Sequence, residues 1–155
     1  MLVKTYCAAV TALEATTITI EVNLARGTMF HLSGLADTAV KESYDRIRAA
    51  IENIGFKSPT ADLTINLSPA DIRKEGCGYD LPLAIGILAA YGKVSEDLLS
   101  NYMMIGELGL EGKLKPVSGA LSVAIRARKE KFKGLIVPKE NVREAAVVNQ
   151  LDVLG

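Results

Sequence analysis

Gly76-Cys77-Gly78 stands directly before an apolar run that reads as a helix, which is a place where a thiol can do chemistry. A thiolate at a helix N-terminus is a nucleophile, provided that a base stands beside it. The chain holds one histidine, His31, on a segment that reads as a strand. A lysine base would have to be desolvated, and the helix predicted over 120–131 offers only Lys129 and Lys131, near its basic end. Cys77 therefore reads either as a nucleophile without a partner or as a small packed thiol. The flanking residues Asp71, Arg73, Lys74, Glu75 and Asp80 form a dense charge cluster. Asp71, Glu75 and Asp80 carry the oxygens that a hard cation such as magnesium takes. Arg73 and Lys74 lie among them, so mutual neutralisation on a surface is the simpler reading.

Other chemistries fare less well. A zinc site needs three or four nitrogen or sulfur ligands, and one histidine with no Cys-x-x-Cys pair does not provide them. Gly112-Lys113 comes nearest to a phosphate-binding loop. Glu107 stands where that pattern needs glycine, and Leu114 where it needs serine or threonine. The run Arg126, Arg128, Lys129, Lys131 and Lys133 is the only concentrated positive charge. It could contact phosphates, or it is the solvated end of a helix whose dipole favours cations. Phe132 alone offers a ring there, so no base-stacking platform is indicated.

These residues need a scaffold, and the composition supplies one. The 155 residues are 49% hydrophobic and 23% charged, with 18 basic and 18 acidic side chains. That fits one globular domain and excludes a disordered chain or a module that grips nucleic acid by overall charge. Two cysteines make no disulfide framework. No apolar run reaches the ~20 residues of a membrane span, and the first residues lack the pattern of a signal peptide. A cytoplasmic protein is expected.

Alternation of apolar and polar residues predicts strands over 3–13, 17–24 and 63–67, with a third short strand over 28–33. Asp37 is expected to cap one long helix ending at Gly55, and Pro59 to lie in the loop that follows. Asp80 is expected to cap a helix over 81–91 that is apolar nearly all round, hence buried. A short helix is expected from Ser95, a hairpin from strands over 103–107 and 113–117, a helix over 120–131, and strands over 135–137 and 151–154. Asn141 and Glu144 have the spacing of a capping box for a last helix. The element order is α+β or mixed α/β.

Several segments together resemble a known family: Gly34 to Ser43, Asn66 to Gly76, Tyr79 to Ala84, Gly106 to Gly112, and Val137 to Asn141. In that order they are similar to the N-terminal domain of the Mg-chelatase-like AAA+ proteins of the YifB/ComM type. The resemblance covers nearly the whole chain. It implies the fold of the Lon proteolytic domain, which is that of the second domain of ribosomal protein S-five, with a mixed sheet and helices on one side. It also implies one domain over 1–155, with an AAA+ ATPase and a Mg-chelatase-like region downstream. Lon uses a serine and a lysine. Laid on this chain, those positions fall on Gly78 and Val123, which carry no nucleophile and no proton site. The implied domain is thus catalytically empty, with no cofactor of its own, and ATP and magnesium belong to the ATPase. It would be an assembly or DNA-guiding part of a ring that processes DNA during competence, with no membrane partner. The candidate surfaces are Arg73, Lys74, Glu75 and Asp80, and the helix end Arg126, Arg128, Lys129, Lys131 and Lys133. The alternatives are a relic peptidase using Cys77 and peptide binding in the vacated active-site groove.

Overall fold

The computed structural model describes residues 1–57 and 61–155. The loop expected around Pro59 lies outside them. Nine strands and five α-helices follow one another as β1 (Leu2–Thr11), β2 (Glu14–Ala25), β3 (Phe30–Ser33), α1 (Thr38–Lys41), α2 (Ser43–Asn53), β4 (Asp62–Ser68), α3 (Asp80–Ala90), β5 (Tyr102–Met104), β6 (Glu107–Leu108), β7 (Leu114–Lys115), α4 (Ala120–Lys129), β8 (Gly134–Ile136), α5 (Val142–Ala145) and β9 (Asp152–Leu154) among the described residues. Seven strands form one sheet in the order β3-β4-β2-β1-β5-β8-β9, while β6 and β7 form a separate hairpin. The β1–β2 and β2–β4 pairs are antiparallel, and β3–β4, β1–β5, β5–β8 and β8–β9 are parallel. The mixed α/β class is as expected from the element order.

The pattern of two that marked the strands is the pattern of the core. Ile18, Ile20 and Val22 are fully buried, and their partners across the β1–β2 ladder are Cys7, Thr5 and Val3. On the other side Leu67 and Ile65 face Ile20 and Val22. Each fully buried side chain of this size contributes roughly 1.5–3 kcal/mol. Helix α3 lies on this face. The hydroxyl of Thr5 donates to the Pro82 carbonyl at 2.9 Å, and a Cβ at Gly86 would come within 2.9 Å of Val22. Helix α4 lies on the opposite face, since Arg126 reaches Thr17 and Gly119 abuts Val10. Thr17 and Val10 alternate with Ile18 and Ala9, so they point away from the α3 side. The expectation of helices on one side is corrected: the apolar stripe of α4, formed by Val123, Ala124 and Ala127, closes the second face.

Three local expectations also change. The helix from Asp37 divides into α1 and α2, because the Ala39 carbonyl accepts from Arg46 Nη2 (2.8 Å) and Ser43 Oγ (3.4 Å). Asp37 caps the first piece as expected, its Oδ1 accepting from Val40 N–H at 2.8 Å. No α-helix starts at Ser95. A 3-10 turn, Leu99–Asn101, takes its place, as a segment with four exposed residues at 95–98 has too little apolar face to hold a longer helix. Asn141 and Glu144 do not form a capping box. Asn141 instead clasps Val117, accepting from its N–H at 3.0 Å and donating to its carbonyl at 2.8 Å. Glu144 caps the neighbouring α4, whose Leu121 N–H donates to it at 3.1 Å, because α4 begins at Gly119 and glycine has no capping side chain.

Gly34 allows a close crossing of strands: its φ is +109°, and a Cβ there would lie 2.1 Å from the Leu67 carbonyl oxygen. Gly55 has a similar φ of +95° but open space around it. We expect Gly34→Ala to destabilise the fold by at least about 2 kcal/mol, and Gly55→Ala by about 1 kcal/mol, the cost of the left-handed backbone alone. Urea unfolding of the two variants checks this.

Candidate functional site

A groove of about 710 Å³ opens where the β1 terminus, the segment before α3 and the segment before α4 meet. Val10 and Ala12 form one wall, Gly76, Cys77 and Gly78 the second, and Val117, Ser118 and Gly119 the third, with Ile105 and Glu107 between them. Each wall has its own anchor. Asp37 Oδ2 accepts from Gly76 N–H at 3.1 Å, and Gly76 takes a φ of +83° to present it. Gly78 accepts from Gly106 N–H at 3.0 Å. The Asn141 clasp holds Val117 in place.

Gly78 and Val123, on which the resemblance lays the Lon serine and lysine, both line this groove. The fold thus brings together in space two positions that lie far apart in the chain. A Cβ on Gly78 would meet only Val117, at 4.0 Å, so packing leaves room for a side chain where none exists. Val123 is 1% exposed and belongs to the core.

Cys77 lies beside Gly78 and is half-buried. Burial pushes its thiol above the ordinary range; Arg46 opposes this, while Glu107, Asp80 and Asp37 add to it. The thiol is therefore held protonated at neutral pH, which is the wrong state for a nucleophile. Cys7 is fully buried in the core, and burial pushes its thiol up as well, against the pull of Lys74.

The expected surface cluster of Arg73, Lys74, Glu75 and Asp80 is not one surface. Arg73 and Glu75 are exposed and pair at 2.8 Å, but Lys74 and Asp80 are fully buried. Lys74 Nζ donates to the carbonyls of Gly34 and Pro69. Its backbone bonds Leu35 and Asp37, which staples the strand β3 exit to the groove wall. Burial lowers the Lys74 ammonium from its ordinary range, and Asp71 and Cys7 oppose this. Asp80 is not the cap of α3 but its first residue. Its Oδ1 accepts from Ser43 (2.6 Å) and Arg46 Nη2 (3.0 Å), and its Oδ2 from Arg46 Nε (2.9 Å) and Leu108 N–H (3.1 Å). The carboxylate beside it raises the Arg46 guanidinium above its usual value. With Asp80 saturated and Asp71 exposed, the magnesium reading of the acidic cluster is withdrawn; no group of three or more potential metal-binding side chains exists among the described residues. Arg46 is a residue of the site that the sequence did not single out; the signal for it was a serine and an arginine three apart, at 43 and 46, beside the apolar stripe of α2.

The remaining candidates separate similarly. Arg126 is half-buried, donates to Thr17 Oγ1 at 3.1 Å and pairs with Glu130. Arg128, Lys129, Lys131 and Lys133 are exposed, without an acidic partner among the described residues. The ring of Phe132 packs on Tyr6, centroids 5.5 Å apart. Gly112-Lys113 sits in the tight β6–β7 turn, where Gly109 N–H donates to the Lys113 carbonyl and Gly112 N–H to that of Gly109. That geometry does not cradle a phosphate. His31 is exposed on the edge strand β3, away from any base partner. No helix among the described residues is long and apolar enough to cross a membrane.

Residues 20–141 match the profile of the family described as "Subunit ChlI of Mg-chelatase". The chain belongs to that family. Within it, the ChlI-type domain is 44% identical over 137 residues to the Escherichia coli protein YifB, covering 88% of this chain and 27% of YifB. It is 42% identical over 145 residues to the Haemophilus influenzae "Competence protein ComM", covering 93% of this chain and 28% of ComM. It is also 30% identical over 112 residues to the Bacillus subtilis "Lon protease 2", covering 72% of this chain and 19% of that protein. The chain thus spans less than a third of the curated relatives that it matches. The likeness to Lon agrees with the mixed sheet.

Two outcomes follow from this ChlI-type site. Asp80→Ala should cost about 3 kcal/mol, because it strands a largely buried guanidinium, and Lys74→Met about 2 kcal/mol, because two carbonyls lose their donor; thermal unfolding reads both. Cys77 should be alkylated by iodoacetamide more slowly than free cysteine at pH 7, with a rate that climbs as pH rises past the ordinary thiol range; mass-spectrometric time courses against a Cys77→Ala control measure it.

Proposed function

We propose that this ChlI-type domain is a non-catalytic accessory module of an ATP-driven DNA-processing ring, where it assists assembly or guides DNA. One observation supports the reading: the groove is lined by Gly78 and Val123, on which the resemblance lays the Lon nucleophile and base, and neither side chain can serve in those roles. The protonated state of Cys77 weighs against the relic peptidase alternative. The DNA-processing part draws on the printed name of the relative ComM, a competence protein. ATP and magnesium belong in this reading to an AAA+ segment outside these residues, since Glu107 and Leu114 depart from the phosphate-loop pattern around Gly112-Lys113.

Such a module meets its partners through charge and shape rather than covalent chemistry. The exposed Arg128, Lys129, Lys131 and Lys133 supply the positive surface. Balanced net charge makes any DNA contact local and weak, hence an adjunct to a stronger grip elsewhere.

The purified chain should show no turnover of casein or of a fluorogenic peptide, and Cys77→Ala should change nothing. Turnover abolished by that substitution would overturn the reading. A salt titration with forked DNA tests the DNA-guiding role. Reversing Lys129 and Lys131 should reduce the salt slope by about 2, roughly one for each phosphate that a lysine no longer neutralises.

A further inference from the structure

We infer that the groove of one copy receives the basic end of helix α4 from a second copy, so that the chain associates head to tail. This rests on the assembly part of the function proposed above, and assigns it a contact.

The first observation is the charge of the groove. Its lining contains Asp37, Glu75 and Glu107 but no lysine, arginine or histidine. Asp37 is engaged by Val40 and Gly76, and Glu75 by Arg73. Glu107 is half-buried and makes no side-chain hydrogen bond or ion pair among the described residues, although the Arg46 guanidinium acts on it through space. A cation that enters the groove therefore meets a carboxylate free of direct contacts where water is partly excluded, which strengthens the attraction.

The second observation is where the matching charge sits. The chain is neutral overall, and its concentrated positive charge is Arg128, Lys129, Lys131 and Lys133, exposed and unpaired among the described residues. These cations ride on a fixed turn. Phe132 N–H donates to Ala127 and Lys131 N–H to Arg128, Lys131 takes a φ of +63°, and Phe132 is packed on Tyr6. A rigid backbone reduces the ordering cost of docking.

The third observation is geometry. Gly119 and Val123 line the groove, while the cations follow Ala127 at the other end of the same ten-residue helix. No ion pair joins these cations to the groove carboxylates within one copy, among the described residues. Between copies they can meet. Unlike surfaces in contact make a heterologous interface, which repeats from copy to copy. Leu121 and Ile125 form an exposed apolar stripe between the two ends, and add area that charge alone does not provide.

Sedimentation velocity of the chain at low and high salt tests this, with Glu107→Lys as one variant and Lys129→Glu/Lys131→Glu as the other. All three positions are at least partly exposed, and circular dichroism confirms folding. Wild type should associate at low salt and dissociate at high salt. Each variant alone should associate about tenfold more weakly, since like charges then face each other. An equimolar mixture of the two should recover association, because both grooves again meet opposite charge. Association that neither variant changes would overturn this contact while leaving the assembly role standing. A lysine-rich peptide that binds the wild type but not Glu107→Lys, without self-association, would overturn it in favour of a peptide partner. Loss of forked-DNA binding alone in the lysine variant, again without self-association, would overturn it in favour of DNA. A chain that neither associates nor binds either probe would sink both the contact and the accessory role.

Discussion

A carboxylate with no access to water holds three parts of this domain together. Asp80 opens helix α3, yet it accepts hydrogen bonds from Ser43 and Arg46 of α2 and from the backbone of β6. Burying a charge costs several kcal/mol unless it is paired and its lone pairs are filled. Here four bonds fill them. The arrangement therefore has little freedom: α2 must present Ser43 and Arg46 together, and Leu108 must approach from the hairpin. The wall that carries Cys77 and Gly78 then follows, because it leads directly into Asp80. A second buried charge, Lys74, works the same way with carbonyls in place of a carboxylate, and ties the exit of β3 to the same wall.

These two anchors explain why the groove keeps its shape. Grooves with room for side chains tend to collapse when nothing supports their walls. In this domain the walls are held from behind by Asp37, Asp80, Lys74 and Asn141, none of which needs a reacting partner in the groove. Of the three carboxylates on the lining, Glu107 alone makes no side-chain hydrogen bond or ion pair among the described residues, and the Arg46 guanidinium acts on it through space.

Much of the fold was legible in the residues. Alternation found the long strands, and the all-round apolar character of 81–90 marked a buried helix, which α3 is. The segment resemblance found the groove positions Gly78 and Val123. Charge was where reading failed. Asp80, Lys74 and Arg46 look like surface residues, because a charge run near glycines is ordinarily solvated. Asn141 and Glu144 matched a capping box by spacing, but both side chains found partners far away in sequence, Val117 and Leu121. A local motif states which bonds a side chain can make; it does not state which competitor is nearer.

The sequence by itself determined the class of the fold and a balanced charge with one basic run. Those depend on the order and type of residues along the chain. Only the tertiary structure decided which charges are inside and which cations remain free. The physical reason is that burial and pairing are properties of position in three dimensions. A lysine at 74 and a lysine at 129 are identical in the chain; one is surrounded by carbonyls and the other by water.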